Sequence, residues 1–393
     1  MKAGTGLSTL QDARSAALDA AQAAREALKA QAADLAVVFT SPHHAPFAQD
    51  ILDAVHEAAH PAGLIGCAAE AVVSGSREME GEPALSVWLG SFPGGAETFH
   101  MQFARTESGG VFHGWRFELE APGRAPVHLM ICDPFTFPAD LLLGHLNEAA
   151  PGVLVVGGNA SGATEPGQTI LFHDRSVLRD GAVGARLPGS VAVRTLVSQG
   201  CRPIGQSFVV TRADDNVLLE LGGRPPLERL QETVAALAPP DRELVSHGIH
   251  VGRVIDEYKS EHGLGDFLIR GVVGADPQTG AIAVGEHLEV GQTVRFHVRD
   301  AATADEELRS LLEREVHSLP LPPAGALLFT CNGRGTRMFP TPDHDAKMVS
   351  SFMGDAPVAG LFCAGELGPV GGRNFLHGFT ASLAIFLDAP LSA

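Results

Sequence analysis

The sequence predicts an α+β protein made of two packed modules, with mixed, largely antiparallel sheets and helices on the outer faces. Strand-like apolar runs outnumber helical patterns, and many follow one another with no helix between them. The 393 residues exceed one ordinary hydrophobic core. The chain is 45% hydrophobic and 19% charged, which is typical of a folded globular protein. A parallel dinucleotide-binding sheet is therefore disfavoured.

The first half begins with a helical pattern and continues mostly as strands. Residues 8–33 are alanine-rich with interspersed polar residues, so residues 1–34 are predicted to be an N-terminal helical extension. Further helices are predicted at residues 46–60 and 137–149. Strands are predicted at residues 34–40, 63–69, 85–89, 98–103, 111–119, 127–132, 153–156, 169–173, 182–186, 190–197 and 207–211.

A Gly/Pro cluster at residues 222–226 is the predicted boundary between the modules, which span residues 35–225 and 226–388. Helices are predicted beyond it at residues 227–237, 303–317 and 343–353. Strands are predicted at residues 248–254, 267–273, 281–284, 294–298, 326–330, 358–364 and 376–387.

Two segments of the chain are similar to each other. A strand, a loop, a helix and a second strand run from residue 37 to residue 70 and again from residue 327 to residue 366. Both copies have a small nucleophile-type residue after the first strand and Cys-Ala-x-Glu at the end of the second. Two explanations stay open: chance similarity between alanine-rich strands, or two related folds that face each other across a cleft.

The charge and cysteine content restrict the partners and the compartment. Twenty-eight Lys and Arg against 46 Asp and Glu give a net charge of −18, which disfavours nucleic acid and membrane surfaces. No apolar run reaches the roughly 20 residues of a membrane span, and no secretory signal is recognisable. Five scattered cysteines without CxxC spacing indicate reduced thiols and no structural zinc site. We therefore expect a cytoplasmic location.

A glycine-rich turn after the strand at residues 326–330 supplies the first candidate ligand-binding residues. Its glycines let the backbone expose N–H groups, and Arg334 would add a planar fork that suits a carboxylate. Pairing of Arg334 with an internal acid such as Glu366 is the open alternative. The candidate residues of this turn are Cys331, Asn332, Gly333, Arg334 and Gly335.

Glu366 stands at the end of an apolar strand, where an acid requires a specific partner. That partner is either an arginine of the fold, Arg334 or Arg373, or the amino group of a ligand. Together with Arg373 and Asn374, Glu366 would hold both ends of a zwitterion.

Other polar turns have both a structural and a functional interpretation. Ser198, Gln199 and Arg202 lie in a turn of the first module and either end a strand or contact ligand, and the polar turn at residues 159–162 is similar. His43 and His44 are candidate metal or haem ligands, although most loop histidines are simply solvated. The glycine-rich segments lack a phosphate-binding fingerprint, so a nucleotide function is unsupported.

A set of motifs in a fixed order characterises the chain: SPHH (41–44), GLIGCAAE (63–70), VVGGNASG (155–162), VSQGCRPIG (197–205), LLFTCNGRG (327–335), AGELGP (364–369) and GGRNFLHGF (371–379). Through these motifs the chain resembles the FIST family over about residues 35–388. The resemblance implies a sensory module for small molecules such as amino acids, with haem-containing nitric-oxide sensors among the members. It also implies that the ligand signal passes to a separate partner such as a histidine kinase or a cyclase.

The favoured function is therefore a non-enzymatic small-ligand sensor, with no cofactor, metal site or catalytic residue predicted. Two alternatives remain: a haem-based nitric-oxide sensor, and an enzyme that uses Cys331 as nucleophile. The enzyme is disfavoured because no Cys–His signature accompanies Cys331, which is better explained as a structural cysteine.

Overall fold

The computed structural model describes residues 1–30, 32–107, 109–117, 126–246, 248–319 and 321–388. Its mixed sheets and helices confirm the predicted α+β class. The last two residues of the strand predicted at 111–119 lie outside the described residues.

The described residues form 25 strands, numbered in chain order. They are β1 Lys2–Ser8, β2 Leu35–Thr40, β3 Gly63–Ala68, β4 Ala71–Ser74, β5 Arg77–Glu80, β6 Leu85–Ser91, β7 Glu97–Thr106, β8 Gly109–His113, β9 Val127–Cys132, β10 Leu154–Asn159, β11 Leu171–His173, β12 Ser176–Leu178, β13 Ala182–Leu187, β14 Ala192–Gln199, β15 Cys201–Asp214, β16 Val217–Leu221, β17 Ile249–Val254, β18 Phe267–Ala275, β19 Ile282–Val284, β20 Thr293–Arg299, β21 Pro323–Cys331, β22 Val358–Cys363, β23 Glu366–Val370, β24 Arg373–His377 and β25 Thr380–Leu387.

Seven α-helices accompany these strands in the described part of the chain. They are α1 Ala13–Leu28, α2 Ala48–Ala59, α3 Ala139–Ala149, α4 Pro226–Ala236, α5 Pro239–Val245, α6 Ala301–His317 and α7 His344–Met353, with short 3₁₀ turns at Pro42–Phe47 and Gly335–Arg337.

The N-terminal segment holds a strand that the sequence pattern did not reveal. β1 pairs antiparallel with β6, and α1 packs against it. A Cβ atom on Gly4 would lie 2.3 Å from the carbonyl oxygen of Ala24, and one on Gly6 would lie 2.1 Å from that of Ala20. The two glycines therefore permit the close approach of the helix, although glycine has a low preference for strands.

The chain folds into two compact units. The first comprises Met1–Val197, Arg309–Leu376 and the residues from Thr380 onward, and the second comprises Ser198–Leu308 with His377–Phe379. The division of the sequence at residues 225 and 226 is a different partition, and it stays a prediction.

Three strand–helix–strand repeats organise the first unit: β2–α2–β3, β9–α3–β10 and β21–α7–β22. In each repeat the two strands are parallel neighbours, and an antiparallel strand flanks the pair on either side. The flanking strands are β6 and β11 in the first repeat, β13 and β23 in the second, and β25 and β4 in the third. The internal similarity of the sequence therefore corresponds to a shared strand arrangement, with one repeat more than the sequence revealed.

The repeats exchange hairpins in a cycle. The β4–β5 hairpin follows the first repeat along the chain but pairs with β22 of the third repeat. The β23–β24 hairpin follows the third repeat and pairs with β10 of the second. The β11–β12 hairpin follows the second repeat and pairs with β3 of the first. Each repeat thus completes the sheet of another one.

Each repeat has a glycine at the equivalent position of its second strand, and this glycine lets the second strand pack closely against the first. A Cβ on Gly66 would lie 2.0 Å from the carbonyl oxygen of Val38, and Gly157 and Gly360 have the equivalent contact at 1.8 and 1.9 Å. This register makes Ser41 and Cys331 equivalent, as the sequence comparison had them. For the second strand, the structural alignment differs by two residues from the alignment suggested by the sequence. Cys67 therefore corresponds to Leu361 rather than to Cys363.

The second unit contains a closed barrel of six strands in the order β15-β16-β19-β18-β17-β20. Alternate residues of these strands form its apolar core, including Phe208, Leu218, Val251 and Phe296. The prolines at residues 226 and 239 begin α4 and α5, where a missing backbone N–H carries no penalty.

Candidate functional site

The ends of strands from all three repeats meet within the first unit. Ser161, just beyond β10, accepts a hydrogen bond from the backbone N–H of Glu70 at 2.9 Å and donates one to the carbonyl oxygen of Phe362. The backbone N–H of Asn159 donates to the carbonyl oxygen of Gly365 at 2.8 Å. Ligands of sheet proteins usually bind at the carboxyl ends of parallel strands. We call Glu70, Asn159, Ser161, Cys331, Asn332 and Glu366 the strand-end cluster.

Glu366 is the buried acid of this cluster, with no solvent-exposed surface. Its Oε2 accepts hydrogen bonds from the backbone N–H of Thr380 at 3.1 Å and from its hydroxyl at 2.8 Å. The Cys331 thiol, a weak donor, also faces this carboxyl group, whose Oε1 accepts no N–H or O–H hydrogen bond. Burial raises the pKa of Glu366 to about 8, so the side chain is mostly a neutral acid at pH 7.

Two amide oxygens in the cluster also lack hydrogen-bond partners. They are Oδ1 of Asn159, whose residue is 7% exposed, and Oδ1 of Asn332. The backbone joins the two positions, because Asn332 donates to the carbonyl oxygen of Cys363, and Ala364 donates to that of Asn159. Buried acceptors without donors are rare in folded proteins and favour a ligand or water at the same place.

Cys331 is the half-buried thiol of the cluster. Its Sγ accepts a hydrogen bond from the backbone N–H of Gly333 at 3.4 Å. Directly opposite on β22 lies Cys363, which is completely buried and is close to the equally buried Cys67. Burial raises the pKa of both buried thiols, that of Cys363 well above its usual range. The first unit therefore concentrates three thiols beside one buried acid.

Arg334 is engaged inside the fold, as the structural alternative anticipated, although its principal partner is Asp345. Nε and Nη2 of Arg334 donate to the two carboxylate oxygens of Asp345 at 2.6 and 2.8 Å, and both side chains are completely buried. Thr330 and His344 complete the set around Asp345 at 2.7 and 2.9 Å. Burial alone would raise the pKa of Asp345, but Arg334 outweighs it and holds that pKa well below its usual range.

Arg373 and Asn374 were predicted to hold ligand together with Glu366. Arg373 is exposed, with its guanidinium 5.9 Å from the centre of the Phe375 ring. Asn374 is 2% exposed, and its amide bonds the backbone at Val153, just before β10, and at Val155 within it. The structure therefore uses Asn374 to attach β24 to the beginning of β10.

The predicted residues of the second unit are likewise bonded within that unit. The hydroxyl of Ser198 donates to Glu307 at 3.0 Å, and Glu307 also accepts from the backbone N–H of Gln199. Arg202 forms ion pairs with Asp241 at 2.7 Å and with Asp300 at 2.8 Å. These contacts join β14, β15, α5 and α6 and account for the side chains of Ser198 and Arg202. The side-chain amide of Gln199 donates to the carbonyl oxygen of Phe267, while its Oε1 has no hydrogen-bond partner.

A rim that the sequence analysis did not identify surrounds the glycine-rich turn. Arg337 forms an ion pair with Glu70 and donates to the carbonyl oxygen of Asn332 at 3.1 Å. Thr336 bonds both carboxylate oxygens of Glu80, at 3.0 and 2.7 Å. The available signal was Arg337 itself, three residues after Arg334 in the same loop.

His43 and His44, which are adjacent in the loop after β2, have different surroundings. His44 is buried and His43 is exposed, so the adjacent side chains point apart. Among the described residues, no group of three or more His, Cys, Asp or Glu side chains is arranged to hold a metal ion. Nor does any helix in that part of the chain have the length and apolar character to cross a membrane.

A large concave surface of about 1010 Å³ lies at the other edge of the first unit. Pro323 and Val358, which line it, begin β21 and β22, whereas Cys331 and Cys363 end these strands. This surface is therefore distinct from the strand-end cluster.

Comparison with known proteins places the sequence in a known group. Residues 34–224 match the model described as FIST N domain, and residues 226–369 match that described as FIST C domain. The chain is 54% identical over 388 residues to the uncharacterized protein Rv0628c of Mycobacterium tuberculosis strain H37Rv, covering 99% of this chain and all of the relative. It is 52% identical over 388 residues to the uncharacterized protein Mb0898c of Mycobacterium bovis, covering 99% of each.

Proposed function

Because this chain belongs to the FIST family, we propose that it is a sensory protein whose strand-end cluster binds a small ligand rich in N–H donors. FIST domains are associated with signal transduction and ligand sensing. An amino acid is the simplest such ligand, since it combines an amino group with a carboxylate.

The observation that carries the proposal is a set of three buried side-chain oxygens without hydrogen-bond partners, of which Glu366 Oε1 becomes an acceptor once the acid gives up its proton. Glu366 Oε1, Asn159 Oδ1 and Asn332 Oδ1 come from three strand ends of the first unit. A buried polar atom without a hydrogen bond costs about 1–3 kcal/mol. A ligand that donates hydrogen bonds to these atoms recovers that cost, whereas an apolar ligand does not.

The protonation state of Glu366 adds a distinctive property to this binding. With a pKa of about 8, the acid holds its proton at pH 7 while the cluster has no ligand. A bound ammonium group favours the carboxylate form, because opposite charges attract strongly where water is excluded. Binding of an amine at pH 7 therefore releases close to one proton from Glu366.

The carboxylate of an amino acid needs a cation at the same site. Arg334 is held by Asp345 and has no exposed surface. Arg337 is 57% exposed and is paired with Glu70, which is itself 39% exposed. Exposed pairs contribute only about 0–1 kcal/mol, so a ligand carboxylate can replace Glu70 at small cost.

A route for the signal leads from the turn to the β4–β5 hairpin. Glu80 holds Thr336, and Glu78 accepts a hydrogen bond from the backbone N–H of Ala346 at 2.9 Å in the first turn of α7. A ligand carboxylate that draws Arg337 away from Glu70 shifts the loop between these two contacts. We propose that a separate cytoplasmic protein, such as a histidine kinase or a cyclase, reads this shift.

Isothermal titration calorimetry with amino acids, small amines and small carboxylates tests the proposal. Titrations at pH 7 in two buffers of different ionisation enthalpy measure the protons released. We expect an amine-bearing ligand to bind with release of close to one proton, and the Glu366→Gln variant to bind without release. Asp355→Asn, at the opposite edge of the unit, is the matched control and should behave as the parent protein. Binding with no proton release, or binding unaffected by Glu366→Gln, would contradict the proposed site.

The contact between Cys331 and Glu366 favours one alternative, a cysteine-dependent enzyme. A thiol beside a carboxyl group with a pKa of about 8 combines a nucleophile with an acid–base group. Hydrolytic turnover that is lost in Cys331→Ser would establish it. The haem alternative has its own test, the appearance of a Soret band when haem is added to the purified protein.

A further inference from the structure

Cys331 and Cys363 occupy directly opposite positions at the ends of β21 and β22. Neighbouring strands lie about 4.8 Å apart, and disulfides join Cα atoms that are about 4.4–6.8 Å apart. Side chains at opposite positions of a ladder point to the same face of the sheet. The two thiols also influence each other electrostatically. Their placement therefore permits a bond between them.

The two thiols differ in their surroundings in a way that assigns them different roles. Cys331 is half-buried, at the beginning of the turn, and its sulfur accepts the N–H of Gly333, a contact that stabilises negative charge on sulfur. Cys363 has no exposed surface, and a Cβ atom added to Gly158 would lie 2.4 Å from its sulfur. Of the two residues, only Cys331 is thus partly open to an oxidant in solution.

We propose that Cys331 and Cys363 form an oxidisable thiol pair, in which a hydroperoxide oxidises Cys331 and Cys363 then closes a disulfide. This modification site is independent of the proposed ligand.

The two steps balance as follows. The Cys331 thiolate attacks the peroxide, an S–O bond forms, the O–O bond breaks, and the leaving alkoxide or hydroxide takes a proton. The Cys363 sulfur then attacks Cys331, the S–O bond breaks, and hydroxide leaves with the thiol proton of Cys363 as water. In total two thiols and one hydroperoxide give one disulfide, one alcohol and one water. An external dithiol reverses the oxidation by exchange.

The disulfide would act on the strand-end cluster directly. Cys331 begins the turn that carries Asn332, and Glu366 faces the Cys331 thiol. Drawing Cys331 towards β22 changes the distance between these groups. Oxidation would then alter the same loop that Arg337 and Glu80 hold at the rim.

Treatment of the purified full-length protein with a small excess of hydrogen peroxide tests the pair. After alkylation with N-ethylmaleimide in denaturant, which exposes both thiols, peptide mass spectrometry should show the loss of two alkylatable thiols and a Cys331–Cys363 linkage that dithiothreitol reverses. Dimedone, which traps sulfenic acid, should label Cys331 several-fold more in Cys363→Ala than in the parent protein. In Cys331→Ser, peroxide should produce no such linkage, and Cys363 should remain alkylatable.

Cys67→Ala provides the matched control, because Cys67 is equally buried and also close to Cys363. It should leave the Cys331–Cys363 linkage intact. Dimedone trapping in the parent protein keeps the test valid if Cys363→Ala fails to fold, since early labelling should then decline as the linkage accumulates. Persistent alkylation of both thiols after peroxide, or a linkage of Cys331 to Cys67, would overturn the proposal.

Discussion

The first and third repeats of the first unit have the same strand arrangement but different chemistry at the strand ends. In the first repeat, the hydroxyl of Ser41 accepts the backbone N–H of Ala84 at 3.0 Å, and no charge is buried at this point. In the third repeat, the Arg334–Asp345 pair is completely buried next to Cys331. Neutral hydrogen bonds thus suffice for the shared fold. The need for a stable fold alone therefore does not explain the buried charges of the third repeat.

The largest effect should come from breaking the buried ion pair. Asp345→Asn leaves Arg334 charged and without its counterion in the core, which typically costs about 3–5 kcal/mol. Asp50 has the corresponding place in the first turn of α2 but is exposed. We expect Asp50→Asn to cost only about 0.3–1 kcal/mol through the helix dipole.

Urea unfolding, followed by tryptophan fluorescence, measures the unfolding free energy of the first unit in Asp345→Asn and in Asp50→Asn. Both tryptophans, Trp88 and Trp115, belong to the first unit, so the signal reports on that unit alone. Equal, small losses in the two variants would mean that the third repeat tolerates the same neutral chemistry as the first.

The pH dependence of stability should separate Glu366 from Glu70, which follow the second strands of these two repeats. The folded state holds a proton on Glu366 up to pH 8, whereas the unfolded chain releases it near the ordinary value of 4.5. The folded state therefore binds more protons between these values. The contribution of Glu366 to stability should fall as pH rises through this window, by about 1.4 kcal/mol per pH unit.

Glu78 acts in the same direction, because burial, aided by nearby Asp345, raises its pKa to about 7. The diagnostic interval is therefore pH 7 to 8, where Glu366 dominates. We expect Glu366→Gln to flatten the urea-unfolding profile there, and Glu70→Gln to leave it unchanged. A slope that persists in Glu366→Gln would show that Glu366 is ionised in the folded protein.

The glycine that the three repeats share provides a test of their equivalence. Alanine at Gly66, Gly157 or Gly360 places a methyl group within 2.0 Å of a carbonyl oxygen on the partner strand. Overpacking of this kind costs about 1–3 kcal/mol, and we expect such a loss at Gly66 and Gly360. The loss at Gly157 should be larger, because its φ of +155° also disfavours a side chain. Gly144, exposed within α3 with no atom near its missing side chain, is the control. Alanine there should stabilise by about 0.5–1 kcal/mol, since glycine weakens a helix interior. Losses confined to one repeat would argue against equivalence.

The sequence revealed the elements whose signals are local. The buried runs at residues 34–40 and 326–330 predicted β2 and β21, because such runs need only their own composition to be recognised. β1 was missed because its glycines serve contacts with α1, which strand propensity does not report. The exchanged hairpins depend on pairing between distant parts of the chain.

The same distinction applies to the site. Cys331 and Glu366 were identified because each stands beside the end of an apolar strand. The sequence analysis named Glu366 as an example of an internal partner for Arg334. The structure pairs Arg334 with Asp345 instead, because α7 brings Asp345 to it only in the folded chain. Asn374 bonds Asn147, 227 positions away, and no local pattern signals that contact.

The smallest effect on stability should come from Arg337, which joins the third repeat to Glu70 of the first. Its ion pair is exposed, so Arg337→Ala should lower the unfolding free energy by less than about 1 kcal/mol, and by less still at high salt. Arg14→Ala, which removes the exposed Arg14–Glu57 pair of the same unit, should have an equally small effect.

The two variants should differ in the rate at which iodoacetamide alkylates Cys331. Arg337 also holds the carbonyl oxygen of Asn332, the residue after Cys331, so its removal loosens the turn and should speed alkylation. Arg14→Ala should leave that rate unchanged. A loss of stability as large as that of Asp345→Asn would instead make Arg337 a structural residue, and the rim could not yield to a ligand carboxylate.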